Sequence, residues 1–276
     1  MKIAIHQMCS GINPQDNVAA MQSAIADASK SGAICYFAPE MSGLLDRDRL
    51  RAKILITPEN ESRIIAAISD AARASAIWVH LGSIAVQSDR EPGKFANRSL
   101  IIDPSGQVRA RYDKMHLFDV DLQSGETWRE SSAYIAGQEA VLVDMPLGQM
   151  GLSICYDLRF PELYSRLARA GADIFAVPAA FTRPTGQAHW HTLLRARAIE
   201  NAAFIVAAAQ SGQHEDGRET YGHSLVIDPW GEILLDMGEA VGIGYAEIDR
   251  SRIDTVRAQI PVHLNRCDIS GKVNRC

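Results

Sequence analysis

Strand-like and helix-like patterns alternate along the first third of the chain, and this alternation restricts the possible folds more than any other feature. Lys2–Met8 alternates as a short strand does. Asn13 then resembles a helix N-cap with Pro14 at the first helical position, and the predicted helix Pro14–Ser31 ends near Gly32. Three further elements are a strand at Ile34–Ala38, an amphipathic helix at Glu59–Ser75 and a buried run at Ile77–Val86. This β-α-β-α-β order favours a layered α/β fold.

Two stretches of closely similar sequence predict β-hairpins in the middle and late parts of the chain. One, from Ser99, reads Ser-Leu-Ile-Ile-Asp-Pro-Ser-Gly-Gln-Val, and the other, from Ser224, reads Ser-Leu-Val-Ile-Asp-Pro-Trp-Gly-Glu-Ile. The predicted strands are Phe95–Ile102 with Gln107–Tyr112, and Tyr221–Ile227 with Glu232–Asp236. Because Asp-Pro-x-Gly is a common turn, convergence is one explanation. We favour equivalent hairpins in a two-sheet architecture, since the match extends into the strands.

Alternating strands and helices also fill the region between the hairpins. The predicted elements are Gln149–Ile154, Pro161–Ala170, Asp173–Val177, Ala188–Asn201 and Ala203–Ala209. No Gly-, Ser- or Pro-rich linker divides the chain. We therefore expect a single domain over residues 1–265, followed by a short tail over 266–276 that is a partner-facing arm or frayed.

Composition and charge exclude several classes of protein. Apolar residues make up 47% and charged residues 22% of the 276-residue chain, which is typical of globular proteins. The net charge of −5 argues against binding to nucleic acid or anionic membranes. The N-terminal segment is too short and polar for a secretory signal, and the longest apolar run, Ala202–Ala209, is too short for a membrane helix. We expect a soluble, cytoplasmic protein.

The chain has five cysteines, an odd number, and none of them forms a CxxC pair. This pattern indicates reduced thiols rather than a disulfide framework. Cys155 stands after the strand-like Gly151–Ile154, at a predicted strand-to-helix turn that favours ligand binding and supplies backbone N–H groups. It is therefore a candidate nucleophile, the alternative being a small buried core residue. We expect Cys9 and Cys35 to be core residues, and the tail residues Cys267 and Cys276 to be incidental.

Glu40 and Lys114 are the candidate partners of the Cys155 thiol. Glu40 follows the apolar strand Ile34–Ala38, and Lys114 follows the strand that ends at Tyr112. Taken singly, Glu40 is better explained as a solvated loop acid and Lys114 as a surface lysine. Together with Cys155 they form a set capable of acyl transfer, in which the carboxylate takes the thiol proton and the ammonium holds the oxyanion.

Other kinds of site have weaker support in the sequence. The eight histidines are scattered, and His189 and His191, two residues apart at a helix start, do not converge on one metal. A GxSxG elbow and a Walker motif are absent, and Gly242-Ile243-Gly244 is not completed to a dinucleotide motif. We expect no metal, nucleotide or flavin cofactor.

Five groups of segments resemble the nitrilase (carbon–nitrogen hydrolase) superfamily, over residues 1–265. They are Phe37–Glu40, Tyr112–Val120, Gly151–Glu162, Gly186–Trp190 with Leu194–Glu200, and Tyr221–Ser224 with Asp228–Gly231. The resemblance implies an α-β-β-α sandwich whose subunits pair into a homodimer or higher homo-oligomer. It also implies a Glu-Lys-Cys triad on Glu40, Lys114 and Cys155.

The resemblance implies further site residues. Glu130 corresponds to a second glutamate that positions Lys114 and substrate, and the backbone N–H of Tyr156 completes the oxyanion hole. The motif around Cys155 resembles the branch of deaminated glutathione amidases and ω-amidases, in which an arginine, here Arg159, contacts a keto-acid carboxylate. The matching pocket positions are Phe181 and Thr185. One departure is that eukaryotic relatives usually carry a glutamate where this chain has His191.

These observations predict a cofactor-free amidase that hydrolyses a small carboxamide through a cysteine thioester and releases ammonia. Deaminated glutathione is the favoured substrate. The alternatives are an ω-amidase acting on α-ketoglutaramate or α-ketosuccinamate, an N-carbamoyl or aliphatic amide hydrolase, and a non-enzymatic small-molecule-binding protein on the same fold.

Overall fold

A computed structural model describes residues 1–121, 125, 127–267 and 271. Within these residues, two large β-sheets lie face to face. The first sheet contains β1 (Lys2–Gln7), β2 (Cys35–Phe37), β3 (Trp78–His80), β4 (Ile84–Gln87), β5 (Phe95–Ile102), β6 (Val108–Asp113) and β17 (Gly242–Glu247). The second contains β9 (Leu142–Met145), β10 (Gly148–Leu152), β11 (Ile174–Ala176), β12 (Phe204–Ala207), β15 (Leu225–Ile227) and β16 (Ile233–Asp236).

Two short ribbons and seven helices complete the described part of the chain. The ribbons pair β7 (Asp119–Asp121) with β8 (Thr127–Arg129), and β13 (Ser211–Gln213) with β14 (Glu219–Tyr221). The helices are α1 (Pro14–Lys30), α2 (Arg49–Leu55), α3 (Arg63–Ser75), α4 (Pro161–Arg169), α5 (Arg183–Asn201), α6 (Ser251–Gln259) and α7 (Val262–Asn265). None of them is both long and apolar enough to cross a bilayer.

Both large sheets have three parallel strands at their centre. The first sheet has the order β17-β1-β2-β3-β5-β4 with β6 on β5, and β1, β2 and β3 are parallel. The second has the order β16-β15-β12-β11-β10-β9, and β10, β11 and β12 are parallel. The two similar stretches form the hairpins β5–β6 and β15–β16, one in each sheet, as predicted.

Side-chain alternation along β1 explains the layers. Ile3 and Ile5 point into the core that the two sheets share, whereas Ala4 points to the opposite face and packs with α1 and α3. The outer face of the second sheet packs against α4 and α5 through residues such as Tyr164 and Trp190. The layers are therefore α-β-β-α, which confirms the predicted sandwich.

The structure corrects several predicted boundaries. The run Ile77–Val86 is two strands, because Gly82 turns the chain at φ +72°, where a Cβ would collide with the carbonyl oxygen of Pro39. The predicted helix Glu59–Ser75 begins as a separate 3-10 turn, and Ser62 caps α3. The predicted strand Tyr221–Ile227 is likewise divided between β14 and β15.

The C-terminal segment is more ordered than the sequence suggests. Val262–Asn265 is helical, and the Arg266 guanidinium donates hydrogen bonds to the carbonyl of Glu200 at 2.7 Å and to Asn201 Oδ1 at 2.6 Å. The beginning of the predicted tail is thus anchored on α5. The rest of that tail, including Cys276, lies outside the described residues apart from Cys267 and Gly271.

Candidate active site

Glu40, Lys114 and Cys155 come together at one edge of the sandwich. Glu40 lies three residues beyond β2, Lys114 follows β6 directly, and Cys155 lies three residues beyond β10. Because β2 and β6 run in the same direction, their carboxyl ends reach the same edge. All three residues are buried, with exposed fractions of 5%, 3% and 9%. The structure therefore brings together three residues that are 41 or more positions apart in sequence.

Lys114 is held between two carboxylates. Its Nζ lies 2.9 Å from Glu40 Oε1 and 3.0 Å from Glu130 Oε2. Asn97 Nδ2 donates to Glu40 Oε1 at 2.9 Å, and the backbone N–H of Ala180 donates to Glu40 Oε2 at 2.9 Å. Glu40 is thus fixed on both oxygens, and Glu130 stands where the sequence predicted a second glutamate.

The charges of the cluster set the protonation state of each member. Burial alone would raise the pKa of Glu40, but the Lys114 ammonium and hydrogen bonds from Cys155, Lys114 and Asn97 hold that pKa below its usual value. Burial opposes the charge on Lys114, yet the two carboxylates raise the pKa of Lys114. Burial and the Glu40 charge raise the pKa of the Cys155 thiol well above its usual value. At rest, the site holds a neutral thiol beside an ionised carboxylate and an ammonium.

The backbone at Cys155 adopts an unusual conformation. Its φ is +49°, a left-handed value that is uncommon for a residue with a side chain and costs free energy. Cys155 N–H donates to the carbonyl of Pro178 at 2.9 Å, and a short 3-10 turn covers Cys155–Arg159. Tyr156 is the second residue of this turn. The role of its N–H as an oxyanion donor stays a prediction.

Asp157 fixes this turn, although it was not among the predicted site residues. The fully buried carboxylate accepts hydrogen bonds from Tyr112 Oη at 2.7 Å, Ile154 N–H at 2.9 Å, and both the N–H and Nδ1 of His116 at 3.0 and 2.7 Å. Asn97 and Ala180 were missed as well. Asn97 could have been noticed because it is a polar residue within the strand β5. The contribution of Ala180 could not, because a backbone N–H cannot be recognised from residue type.

The cluster opens into a cavity of about 340 Å³. Phe181 and Thr185, both predicted pocket residues, line the cavity, and so does Tyr156. Arg159 is not part of its wall. The Arg159 guanidinium lies over the rings of Tyr156 and Phe181, 5.9 and 5.5 Å from their centroids, with its amino groups 3.3 Å from His189 Nδ1. Arg159 thus stands behind two lining rings.

The part of the cavity wall around Trp128 is rich in arginine. The guanidinium groups of Arg47 and Arg218 lie 4.9 and 5.5 Å from the centroid of the Trp128 ring. Arg218 also pairs with Asp216 at 2.7 Å. Two further arginines, Arg49 and Arg129, line the same cavity. This wall offers positive charge and an aromatic face to an anionic ligand.

The other described cysteines differ in their surroundings. Cys35 is buried, as predicted, but the prediction of a core position for Cys9 is wrong. Cys9 lies two residues beyond β1, where the chain leaves the sheet, and its exposed thiol is 3.3 Å from the carbonyl of Gln213. Cys267 is exposed.

Comparison with known proteins identifies the family. A family model described as carbon-nitrogen hydrolase matches residues 2–258. The deaminated glutathione amidase of Yersinia enterocolitica is 38% identical over 274 residues, which cover 99% of this chain and 95% of that protein. The deaminated glutathione amidase of Dictyostelium discoideum is 40% identical, with 95% of this chain and 92% of that protein covered.

Solved structures give the same result. The NitFhit protein of C. elegans superposes with a TM-score of 0.89 at 39% identity, covering 96% of this chain and 64% of that one. Nit3 of Saccharomyces cerevisiae, described as a member of branch 10 of the nitrilase superfamily, gives a TM-score of 0.85 at 29% identity, with 95% and 94% covered. Sequence, fold and cluster geometry agree, and the chain belongs to the carbon–nitrogen hydrolase family.

Proposed function

We propose that this chain is an amidase that cleaves a carboxamide through a covalent thioester on Cys155, with deaminated glutathione as its substrate. The observation that carries the proposal is the buried cluster of Glu40, Lys114 and Cys155 at a cavity of about 340 Å³. A nucleophile, a hydrogen-bonded base and a fixed positive charge are the components that acyl transfer requires.

In the first half of the reaction, the Cys155 sulfur attacks the amide carbon while Glu40 takes the thiol proton. The ammonium of Lys114 and the N–H of Tyr156 stabilise the oxyanion of the tetrahedral intermediate. Glu40 then gives its proton to the amide nitrogen, the C–N bond breaks, and the amine leaves. The acyl group remains on sulfur as a thioester.

In the second half, water takes the place of the amine. Glu40 accepts a proton from this water as its oxygen attacks the thioester carbon. Collapse of the second intermediate breaks the C–S bond, the proton returns to sulfur, and the carboxylic acid leaves. Glu130 keeps Lys114 in place through both halves, since its carboxylate lies 3.0 Å from the ammonium.

The substrate assignment is supported by the arginines and by the relatives that are named deaminated glutathione amidases. Arg159 is the proposed partner of the keto-acid carboxylate and reaches it by moving past Phe181 and Tyr156, over whose rings it now lies. Arg47 and Arg218 suit a second carboxylate. The amide of deaminated glutathione is a secondary amide, so its cleavage would release a peptide amine and not the ammonia expected from the sequence, whereas cleavage of α-ketoglutaramate would release ammonia.

The test is a panel assay that measures both released amine and released ammonia. Deaminated glutathione, α-ketoglutaramate, an N-carbamoyl amino acid and a neutral aliphatic amide are offered to the purified protein. We expect the highest kcat/KM for deaminated glutathione. Cys155→Ala should lower the rate by about 10³-fold or more, because Cys155 is the thiol that is hydrogen-bonded to Glu40.

Cys9→Ala is the matched control, because it removes an exposed thiol outside the cavity. Its rate should equal that of the unmodified chain. A rate that survives in Cys155→Ala would contradict the mechanism. Absence of turnover together with absence of an acyl adduct on Cys155 would favour a binding protein on the same fold.

Arg159→Ala separates the keto-acid substrates from the alternative of N-carbamoyl or aliphatic amides. We expect KM for deaminated glutathione and α-ketoglutaramate to rise about 10- to 100-fold, since a charge-assisted bidentate contact is lost. The kinetics with a neutral amide should not change. An equal loss on all substrates would assign Arg159 a structural role.

The same proposal includes two further properties, and the family resemblance implies the first of them. We expect a homodimer or a higher homo-oligomer, which light scattering coupled to size exclusion would measure. We also expect a cytoplasmic enzyme, in keeping with five cysteines that form no CxxC pair.

A further inference from the structure

A second cluster of chemically capable side chains lies outside the cavity. It consists of His191 on α5, His223 just before β15, and Asp236 at the end of β16. One nitrogen from each imidazole and one carboxylate oxygen all lie within 4.8 Å of one another. His191 Nε2 is 3.1 Å from Asp236 Oδ2, and His223 Nδ1 is 2.9 Å from Asp236 Oδ1. Neither histidine lines the cavity, and neither has a role in the proposed amidase reaction.

The cluster joins residues that the sequence pattern alone does not connect. His189 and His191 diverge, as predicted, because His189 points to Arg159. His191 instead meets residues 32 and 45 positions further along the chain. The expectation of no metal was based on the scatter of the eight histidines along the sequence, but the fold brings two of them together with Asp236.

The backbone holds His223 in place. Its φ is +53°, a conformation that costs free energy in a residue with a side chain. Its N–H donates to the carbonyl of Gly238 at 2.6 Å, and its carbonyl accepts from Trp190 Nε1 at 2.8 Å. Its ring stacks on Tyr221 with centroids 4.4 Å apart. The position of this imidazole is therefore fixed before any ligand arrives.

The donor set has the chemistry of a transition-metal site. Two imidazole nitrogens and one carboxylate oxygen suit divalent first-row ions such as Zn²⁺. Bonds of about 2.0–2.2 Å in tetrahedral geometry require donor atoms about 3.4 Å apart. The donor atoms of the cluster lie within 4.8 Å of one another, and the two His–Asp contacts of 2.9 and 3.1 Å end on different oxygens of Asp236. Rotation of these side chains would bring one oxygen and the two nitrogens to the required spacing.

The surroundings suit a cation with an open coordination position. The exposed side-chain fractions of His191, His223 and Asp236 are 30%, 21% and 34%, so water reaches the cluster. Asp236 Oδ1 also accepts the N–H of Gly238 at 2.9 Å, which orients the carboxylate.

We propose that His191, His223 and Asp236 form a binding site for a divalent first-row transition-metal ion, with water in the remaining position. The ion would tie α5, the residues before β15 and the end of β16 together. Tyr221 connects this site to the cavity, because its ring stacks on His223 while the two preceding residues, Glu219 and Thr220, line the cavity. The ion therefore supports one cavity wall from behind. This proposal is independent of the proposed amidase function.

The experiment uses the full chain after chelator treatment, titrated with Zn²⁺ alone and with Co²⁺ alone. A Cys9→Ser background removes a competing pair, since the Cys9 thiol lies 3.7 Å from His214 Nδ1. We expect one Zn²⁺ per chain and a melting temperature about 5 °C higher at a hundredfold excess over Kd. Co²⁺ should give visible d–d absorption without the near-ultraviolet charge-transfer band of a thiolate ligand.

Two variants each remove one ligand but keep the side-chain shape, His191→Phe and Asp236→Asn. Each should weaken Zn²⁺ binding by about 100-fold or more and abolish the metal-dependent rise in melting temperature. Their melting temperatures without metal report whether the fold is retained. His263→Ala, which removes an exposed histidine on α7, is the control and should bind Zn²⁺ as the background chain does.

Three outcomes would overturn the proposal. They are no binding at about 100 µM Zn²⁺, unchanged binding in both ligand variants, and a Co²⁺ complex with a thiolate band that persists in His191→Phe. The first would leave the cluster as a hydrogen-bonded His–Asp–His network, and the others would assign the ion to another site.

Discussion

Lys114 carries its charge in the protein interior because two carboxylates surround it. A buried ion pair is costly to desolvate, and removal of one partner leaves an uncompensated charge. The contacts of Lys114 with Glu40 and Glu130 offset the desolvation of the buried charges. Hydrogen bonds from Asn97 and Ala180 to Glu40 contribute as well. The arrangement keeps Glu40 ionised as the proposed base next to a neutral thiol.

The pH profile of the reaction should reflect this arrangement. The pKa of Glu40 is lowered from its model-compound value of 4.5, so its carboxylate remains ionised as the pH falls through that value. As the pH is lowered, we expect kcat/KM to stay constant down to about pH 5 and to fall only below it. Rate measurements between pH 4 and 8, with circular dichroism at each pH, test this. A fall in kcat/KM near pH 6.5, while circular dichroism shows an intact fold, would instead indicate that protonation of a histidine limits the reaction.

A buried histidine should make the folded state sensitive to acid. Burial lowers the pKa of His80 from 6.5 to about 3, and its Nε2 lies 2.9 Å from Ser99 Oγ. Between those two values the unfolded chain binds the extra proton, so stability is lost as the pH falls below about 6.5. From pH 7 to 5, this one residue should cost about 2 kcal/mol.

Urea unfolding at pH 7 and pH 5 measures this effect. In His80→Gln, which keeps a polar partner for Ser99, the loss of stability between the two pH values should be smaller by about 2 kcal/mol. His263→Ala is the matched control, because that histidine is exposed. An unchanged loss in His80→Gln would show that His80 is already protonated in the folded protein.

Much of the candidate site is predictable from individual residues. The remaining contacts could not be predicted, for physical reasons. Glu40, Lys114 and Cys155 each follow an apolar strand, so position and residue type indicate a shared sheet edge. The N–H of Ala180 acts through the backbone and leaves no trace in residue type. Asp157 was visible in the motif, but its four hydrogen bonds come from residues that only the fold brings together.

At the scale of elements, the two similar hairpins differ in how their turn aspartates are used. Asp103 and Asp228 each accept two backbone N–H groups within the turn. Asp228 is 2% exposed and also accepts a hydrogen bond from Arg252 Nε on α6 at 2.8 Å. The turn sequence is therefore common to both hairpins, and both turns contact a helix. The first does so through the Ser105 carbonyl, which accepts from Arg73 Nε on α3 at 3.0 Å, whereas the second does so through its aspartate.

Substitution of each aspartate by alanine should separate these contributions. We expect Asp103→Ala to lower the free energy of unfolding by about 1 kcal/mol, and Asp228→Ala by about 2–3 kcal/mol, since Arg252 also loses its partner. Chemical denaturation of both variants measures the difference. Equal losses would mean that the contact with Arg252 adds nothing to stability.

The elements that sequence patterns missed depend on distant partners. Strand β17 contains Gly242 and Gly244, which are unfavourable in strands, yet it pairs along its whole length with β1 at the other end of the chain. A Cβ at Gly244 would lie 2.8 Å from Met237 Sδ, so a larger residue there would displace the Met237 side chain. Neither the pairing with β1 nor this contact can be predicted from local sequence.

At the scale of the whole molecule, one core connects the two sheets, so they should unfold together. Ile5 in the first sheet and Val206 in the second belong to the same cluster of buried residues. Native-state hydrogen exchange should give their amides the same opening free energy, equal to that of global unfolding. In α2, seven residues long with Leu50 and Ile54 81% and 82% exposed, amides should open locally at much lower cost. Different values for Ile5 and Val206 would indicate independently unfolding halves.

The burial of Cys155 also determines which thiols are oxidised first when the protein is stored in air. Oxidants and alkylating agents attack thiolates, and the resting Cys155 sulfur is both buried and held as a thiol. Cys9 and Cys267 are exposed, so they meet a peroxide first. Oxidative damage during storage would therefore begin as disulfides between molecules, while the sulfur beside Glu40 stays reduced.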